Sequence, residues 1–150
     1  MHIFLDIDGV LNTKSDWTRP YSLNKKCVQE FADFTNSLKD VKIVLTSSWR
    51  AGFSKDGNHL AQISMLVDAL EEYGITIYDK TPVTNKGRQA EIEYYMSRND
   101  VTNYLVIDDD VTLFDNPNRL KIYLTDSAVG FRRKDAEKIL NKRKGWFKLW

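Results

Sequence analysis

Three observations predict an α/β chain, a three-layer Rossmann-like sandwich built on a central parallel sheet. Five short apolar runs rich in β-branched residues recur along the sequence, stretches with helical apolar spacing separate them, and each run closes on acidic or polar residues. Alternation of strand and helix is the pattern of βαβ units, whose crossovers cover both faces of a parallel sheet.

The first strand is read at residues 2–5, just before Asp6. A helix follows, with apolar positions at Val28, Phe31, Ala32, Thr35 and Leu38. The second strand spans residues 41–45 and runs into Thr46 and Ser47, and the next helix carries Leu60, Ile63, Leu66, Val67 and Leu70. A third strand is placed at residues 75–78, followed by a helix marked by Ala90, Ile92, Tyr95 and Met96. The fourth strand, 104–107, leads into Asp108 and Asp109, and the fifth, 121–124, precedes a last helix with Ala136, Ile139 and Leu140. Pro20, Pro82 and Pro117 fall between these elements, and no repeat or linker interrupts them.

A length of 150 residues corresponds to one domain over 1–150, long enough to bury a sizeable core. Hydrophobic residues at 42% and charged residues at 29% exclude disordered, collagen-like and disulfide-scaffold classes. The net charge of +1 names no partner, but eight basic and two acidic residues after Phe131 give that segment +6 and leave −5 before it. Such a segment can meet a polyanion, although a solvated helix face with lysines near its C-terminus is the commoner arrangement. Cys27 is the only cysteine, so no intramolecular disulfide forms, and nothing beside it in sequence marks an activated thiol. No apolar run nears the ~18 residues of a membrane span and no leader pattern opens the chain, so the expected location is cytoplasmic, away from membrane. Trp146, Phe147 and Trp150 are expected to pack on the fold or at an interface between copies.

In parallel sheets ligands gather at the carboxyl ends of the strands, and there the polar residues concentrate. Asp6 and Asp8 stand two apart before Gly9, whose freedom permits a sharp turn. Two carboxylates so close repel unless a cation neutralises them or one keeps a proton. Asp108 and Asp109 close a second strand, and if the two strands are neighbours the clusters converge into a hard-oxygen site suited to Mg²⁺. Thr46 and Ser47 follow a buried strand, where hydroxyls and free N–H groups can hold a phosphoryl oxygen or simply cap a turn. Arg50 is open to either an anion or an ion pair, and Trp49 is read as packing. Lys86 and Arg88 place positive charge at a helix start, against the dipole, which implies another use for it.

Asp6-Ile7-Asp8-Gly9-Val10-Leu11, Thr46, a basic residue before a helix and Asp108-Asp109 occur in the order of the four motifs of the haloacid dehalogenase (HAD) superfamily. More narrowly, Phe4 to Asn12, Thr46-Ser47-Ser48-Trp49-Arg50 and Ile107 to Asp110 resemble the HAD domains of Swiss-army-knife RNA repair proteins, over nearly the whole chain. The resemblance implies a HAD-type phosphatase with Asp6 as nucleophile and Asp8 as general acid and base. It implies Mg²⁺ on Asp6, the Asp8 backbone carbonyl and Asp109, with Asp108 behind or beside it, and Thr46 with Ser47 at the phosphate. The basic residue that balances charge is Lys86 or Arg88, the superfamily pattern favouring the first and the narrower relatives the second. Asn12 and Arg50 are possible substrate contacts, and residues 12–21, with Trp17 and Arg19, form the flap.

The gaps between motifs leave no room for a large cap, so a minimal or absent cap domain and an open site are expected. Openness favours nucleic-acid ends or nucleotides as phosphorylated substrates. The alternatives are a sugar-phosphate phosphatase and an inactive phosphate- or nucleic-acid-binding module.

Overall fold

The computed structural model describes the backbone of residues 1–147 and the side chains of residues 1–144. Five strands, β1 (His2–Leu5), β2 (Lys42–Leu45), β3 (Ile77–Lys80), β4 (Tyr104–Asp108) and β5 (Ile122–Leu124), pair in parallel in the order β3-β2-β1-β4-β5. Four helices flank them: α1 (Lys25–Asn36), α2 (Ala61–Glu71), α3 (Arg88–Arg98) and α4 (Arg133–Phe147). Trp146, Phe147 and Trp150 have side chains outside the described residues.

Period-two alternation sorts the strand side chains into two cores. Ile3, Leu5, Ile43, Leu45, Leu105 and Ile107 point to the face covered by α1, α2 and α4, where Phe31, Leu66 and Ile139 meet them. Phe4, Val44 and Val106 point to the other face and pack against Ile92 and Tyr95 of α3, with Phe114 and Leu120. Each central strand is buried on both sides, which is why these segments read as continuous apolar runs rather than alternating ones.

The third strand lies two residues later than the spacing predicts. Gly74 has a φ of +81° and Ile75 N–H donates to Leu70 O at 3.0 Å, so Ile75 closes the end of α2 as the apolar residue of a Schellman-type cap. The strand begins only after that cap.

Between β1 and β2 lie only a 3₁₀ turn (Lys14–Thr18) and α1, and between β2 and β3 only a 3₁₀ turn (Ser48–Gly52) and α2. Neither connection contains a cap domain. β1 sits at the centre, with β2 on one side and β4 on the other, and the chain's crossovers leave it in opposite directions. That switch point is where a crevice opens beyond the strand ends. Among the described residues no helix is long and apolar enough to cross a membrane.

Candidate active site

Register brings the site together. Leu5 pairs with Leu45 on one side and Ile107 on the other, so the residues one step further, Asp6, Thr46 and Asp108, stand level at the carboxyl edge. The ladder continues through them: Asp6 N–H donates to Ile107 O and Thr46 N–H to Leu5 O, both at 3.0 Å. Asp6 continues the alternation of Phe4, and Asp108 that of Val106, which turns both carboxylates toward the α3 face. Carboxylate oxygens of Asp6, Asp108 and Asp109 all lie within 4.8 Å of one another.

Gly9 makes this convergence possible. A Cβ built on Gly9 would sit 2.1 Å from Asp109 Oδ2, so the turn after β1 and the carboxylate after β4 share space that only glycine leaves free. The Gly9 carbonyl is pinned from the far side by Thr125 Oγ1, which donates to it at 2.8 Å.

Three carboxylates so close need positive charge, and Arg88 supplies the first of it. Arg88 opens α3 directly after Gly87, and its Nη1 lies 2.7 Å from Asp108 Oδ2 and 3.4 Å from Asp6 Oδ1. Burial works against the guanidinium charge, yet Asp6 and Asp108 outweigh it and hold Arg88 above its ordinary pKa. Asp6 remains well above the usual carboxylate range, first because it is buried and then because Asp108 and Asp109 repel its charge, with Arg88 opposing them. Burial likewise raises Asp109. Asp108 has no such freedom: Oδ2 takes the Arg88 bond, and Oδ1 accepts the N–H groups of Asp109 and Asp110 at 2.8 and 3.0 Å. The open donor atoms are therefore those of Asp6 and Asp109, an all-oxygen set able to hold a divalent cation.

Asp8 stands at the mouth, half-buried and held at both oxygens. Asn12 Nδ2 donates to Oδ1 at 2.9 Å and Trp49 Nε1 to Oδ2 at 3.3 Å. Across the row, Thr46 Oγ1 is fully buried and has no hydrogen-bond partner. A buried hydroxyl left unpaired costs about 1–3 kcal/mol, so its place beside Asp6 marks a position where an acceptor arrives from outside the chain. Ser47 uses its own Oγ to accept the Trp49 N–H at 3.2 Å and caps the following turn.

The sequence profile of the HAD domain in Swiss Army Knife RNA repair proteins matches residues 2–136. The chain belongs to this HAD family. No curated protein and no solved structure matches it.

Against the residues singled out in the sequence, the HAD domain brings Asp6, Asp108, Asp109, Thr46 and Arg88 to one point. Lys86 is not among them: it is exposed, and its side chain makes no hydrogen bond or ion pair with the described residues. Arg88 occupies the place beside Asp6 as the first residue of the helix after Gly87, which is at φ +97°, and Lys86 lies before that cap. Asp108 is a poor direct metal ligand, since both its oxygens are engaged. Arg50 is not placed for a substrate. Its guanidinium is buried and spends its N–H groups on the carbonyls of Thr46, Ser47, Thr81 and Pro82 and on Glu91 Oε1 at 2.9 Å. Asn12, 1% exposed, accepts from Gly9 N–H and Trp17 Nε1 and donates to Asp8 and Ser22 O, so it orients Asp8 and has nothing left to offer a substrate. Sequence reasoning missed Trp49 as a holder of Asp8 and Glu91 as the partner of Arg50. An indole three residues past Thr46 carries no signal of that kind, because the bond forms only when two strand ends meet.

Proposed function

We propose that the chain is a Mg²⁺-dependent phosphomonoesterase that works through an aspartyl-phosphate on Asp6 and acts on nucleic-acid ends or nucleotides. The observation that carries this reading is the buried, unpartnered Thr46 hydroxyl, level on the neighbouring strand with a carboxylate that faces a guanidinium. A phosphoryl group supplies the missing acceptor and at the same time presents phosphorus to Asp6.

An Asp6 oxygen attacks phosphorus, the bond to the leaving oxygen breaks, and that oxygen takes a proton from Asp8. Asp8 then removes a proton from water, which hydrolyses the acyl phosphate and regenerates Asp6. Asn12 and Trp49 keep the Asp8 carboxyl from rotating between these two tasks. Arg88 balances charge on Asp6 and on the transferring group, and Asp108 holds Arg88 in place. Asp6, Asp109 and the Asp8 carbonyl would hold Mg²⁺, which offsets the repulsion between an anionic nucleophile and an anionic phosphate. The raised pKa values of Asp6 and Asp109 express the penalty that such a cation removes.

The absence of a cap in either connection leaves the site open to a large substrate. Exposed Lys134, Lys138 and Lys142, repeating every four residues along α4, are available to a polyanion. Phosphate release from p-nitrophenyl phosphate, mononucleotides, sugar phosphates, phosphopeptides and an end-phosphorylated oligonucleotide tests the reading. Turnover must require Mg²⁺, vanish in EDTA and vanish in Asp6→Asn. Binding without release from any member overturns it.

A further inference from the structure

We propose that the cleft between the flap and the turn after β2 receives the base of the nucleotide whose phosphate is removed, stacked on Trp17 and Tyr21. This rests on the phosphomonoesterase reading and deepens it. The cleft has a volume of about 280 Å³ and is lined by Asp8, Trp17, Arg19, Tyr21 and Trp49, with Pro20 and Ser48 at its edge. Asp8 in its wall fixes what the cleft is for. The leaving oxygen takes its proton there, so whatever is esterified to the phosphate extends into this space.

Three of the lining side chains, Trp17, Tyr21 and Trp49, are aromatic, and they stand beside the polar Asp8, Arg19 and Ser48. Both indole N–H groups are already used, Trp17 Nε1 on Asn12 Oδ1 at 2.8 Å and Trp49 Nε1 on Asp8. Trp17 is 43% exposed and packs against no other ring among the described residues, yet its hydrogen bond to a nearly fully buried asparagine holds it still. An exposed ring fixed before binding loses little freedom when a partner arrives. Tyr21 is 48% exposed, meets Trp49 edge-on at 5.0 Å and keeps a φ of +56°, a left-handed backbone that bulky residues seldom adopt. Such strained residues gather at ligand clamps. Arg19 is exposed, and its side chain forms no ion pair or hydrogen bond with the described residues. It is available to the edge of a base or to the next phosphodiester.

Neither a sugar phosphate nor a phosphoserine peptide would bring a flat ring to stack on Trp17 and Tyr21. A flat nucleobase fits both the ring faces and the lone cation, and base stacking of this kind tolerates any base.

The test uses Asp6→Asn with Mg²⁺, which binds without turnover, and reads tryptophan fluorescence. Short RNA oligonucleotides phosphorylated at the 3′ or 5′ end are titrated with the terminal nucleotide either intact or abasic, beside a mononucleotide and ribose 5-phosphate. We expect the intact end to bind about tenfold or more tighter than the abasic one. Tyr21→Ala should bring that ratio near one, and Tyr21→Phe should retain it. A mononucleotide equal to the strand assigns recognition to the base alone, and a tighter strand adds Arg19 with a neighbouring phosphodiester; both support the cleft. Equal binding of intact and abasic ends overturns the proposal, even where the wild type releases phosphate. A base preference in a protein that releases phosphate from nothing leaves the cleft standing and overturns the phosphatase reading.

Discussion

Alanine at Gly9 meets two obstacles at once, a φ of +81° and an Asp109 oxygen 2.1 Å from the new methyl group. Overpacking of this kind costs about 1–3 kcal/mol. Because the atom displaced belongs to the carboxylate cluster, Gly9→Ala should lower Mg²⁺ affinity more than thermal stability, measured by titration calorimetry beside a melting curve. Thr46→Val should behave in the opposite sense. Removing an unpartnered buried hydroxyl should raise the stability of the ligand-free protein by about 1 kcal/mol. Phosphatase turnover should fall by about 10², the loss seen when one donor to a developing anion is removed. A variant less stable and equally active would refute both halves. Asp6, Thr46, Asp108 and Asp109 were legible in the sequence because each directly follows or ends a strand, where alternation and register leave little choice of position, and Asp8 because it precedes the turn at Gly9. The choice between Lys86 and Arg88 was not legible, since it turns on a two-residue difference in where a helix begins. Arg50, which the sequence leaves open between an anion and an ion pair, makes the ion pair with Glu91 through a tertiary contact, whereas Asn12 is taken up by its near neighbours Asp8, Gly9 and Trp17.

Among the elements, α3 depends on more than its own packing. Arg50 reaches from the turn after β2 to Glu91 in the first turn of α3, and Glu91 also accepts the Thr84 N–H at 2.6 Å. One buried ion pair thus ties the Thr46 loop, the residues after β3 and the helix that carries Arg88. Breaking a buried pair from one side costs about 3–5 kcal/mol. Arg50→Met should therefore lower Tm by roughly 10 °C for a chain of this size. Arg50→Met combined with Glu91→Leu should recover much of that stability without recovering turnover, because Arg88 and Thr46 lose their shared brace. Full recovery of activity in the double variant would show the pair to be mere packing. At this scale five strands and four helices were legible from apolar periodicity, and the strand displaced by more than one residue was β3. Ile75 is as apolar as a strand residue, and only the left-handed Gly74 before it shows that it serves the end of α2.

For the whole molecule, Asp6 and Asp109 make stability depend on pH and cation together. Burial holds both folded-state carboxyls above their unfolded value, so in the metal-free protein the folded state retains protons that the unfolded state has released. Their contribution is fully present below the unfolded value and is lost as pH rises through the raised one. In EDTA, Tm should thus fall from mildly acid toward neutral pH, and Asp6→Asn should flatten the profile. Mg²⁺ at neutral pH should restore stability, by about 2.7 kcal/mol at a hundred times its Kd. A Tm in EDTA that rises with pH over that window, or that ignores Mg²⁺, would contradict this account. The central place of β1 carries a consequence for biosynthesis. Asp6 leaves the ribosome ahead of Arg88 and Asp108, which follow some eighty and one hundred residues later, and Asp108 reaches it only when β4 docks along the open side of β1. A nascent or truncated chain that stops before β4 exposes Phe4 and an unpaired strand edge, and it holds Asp6 without Asp108 and Asp109. The carboxylate cluster is thereby left incomplete until β4 has been made.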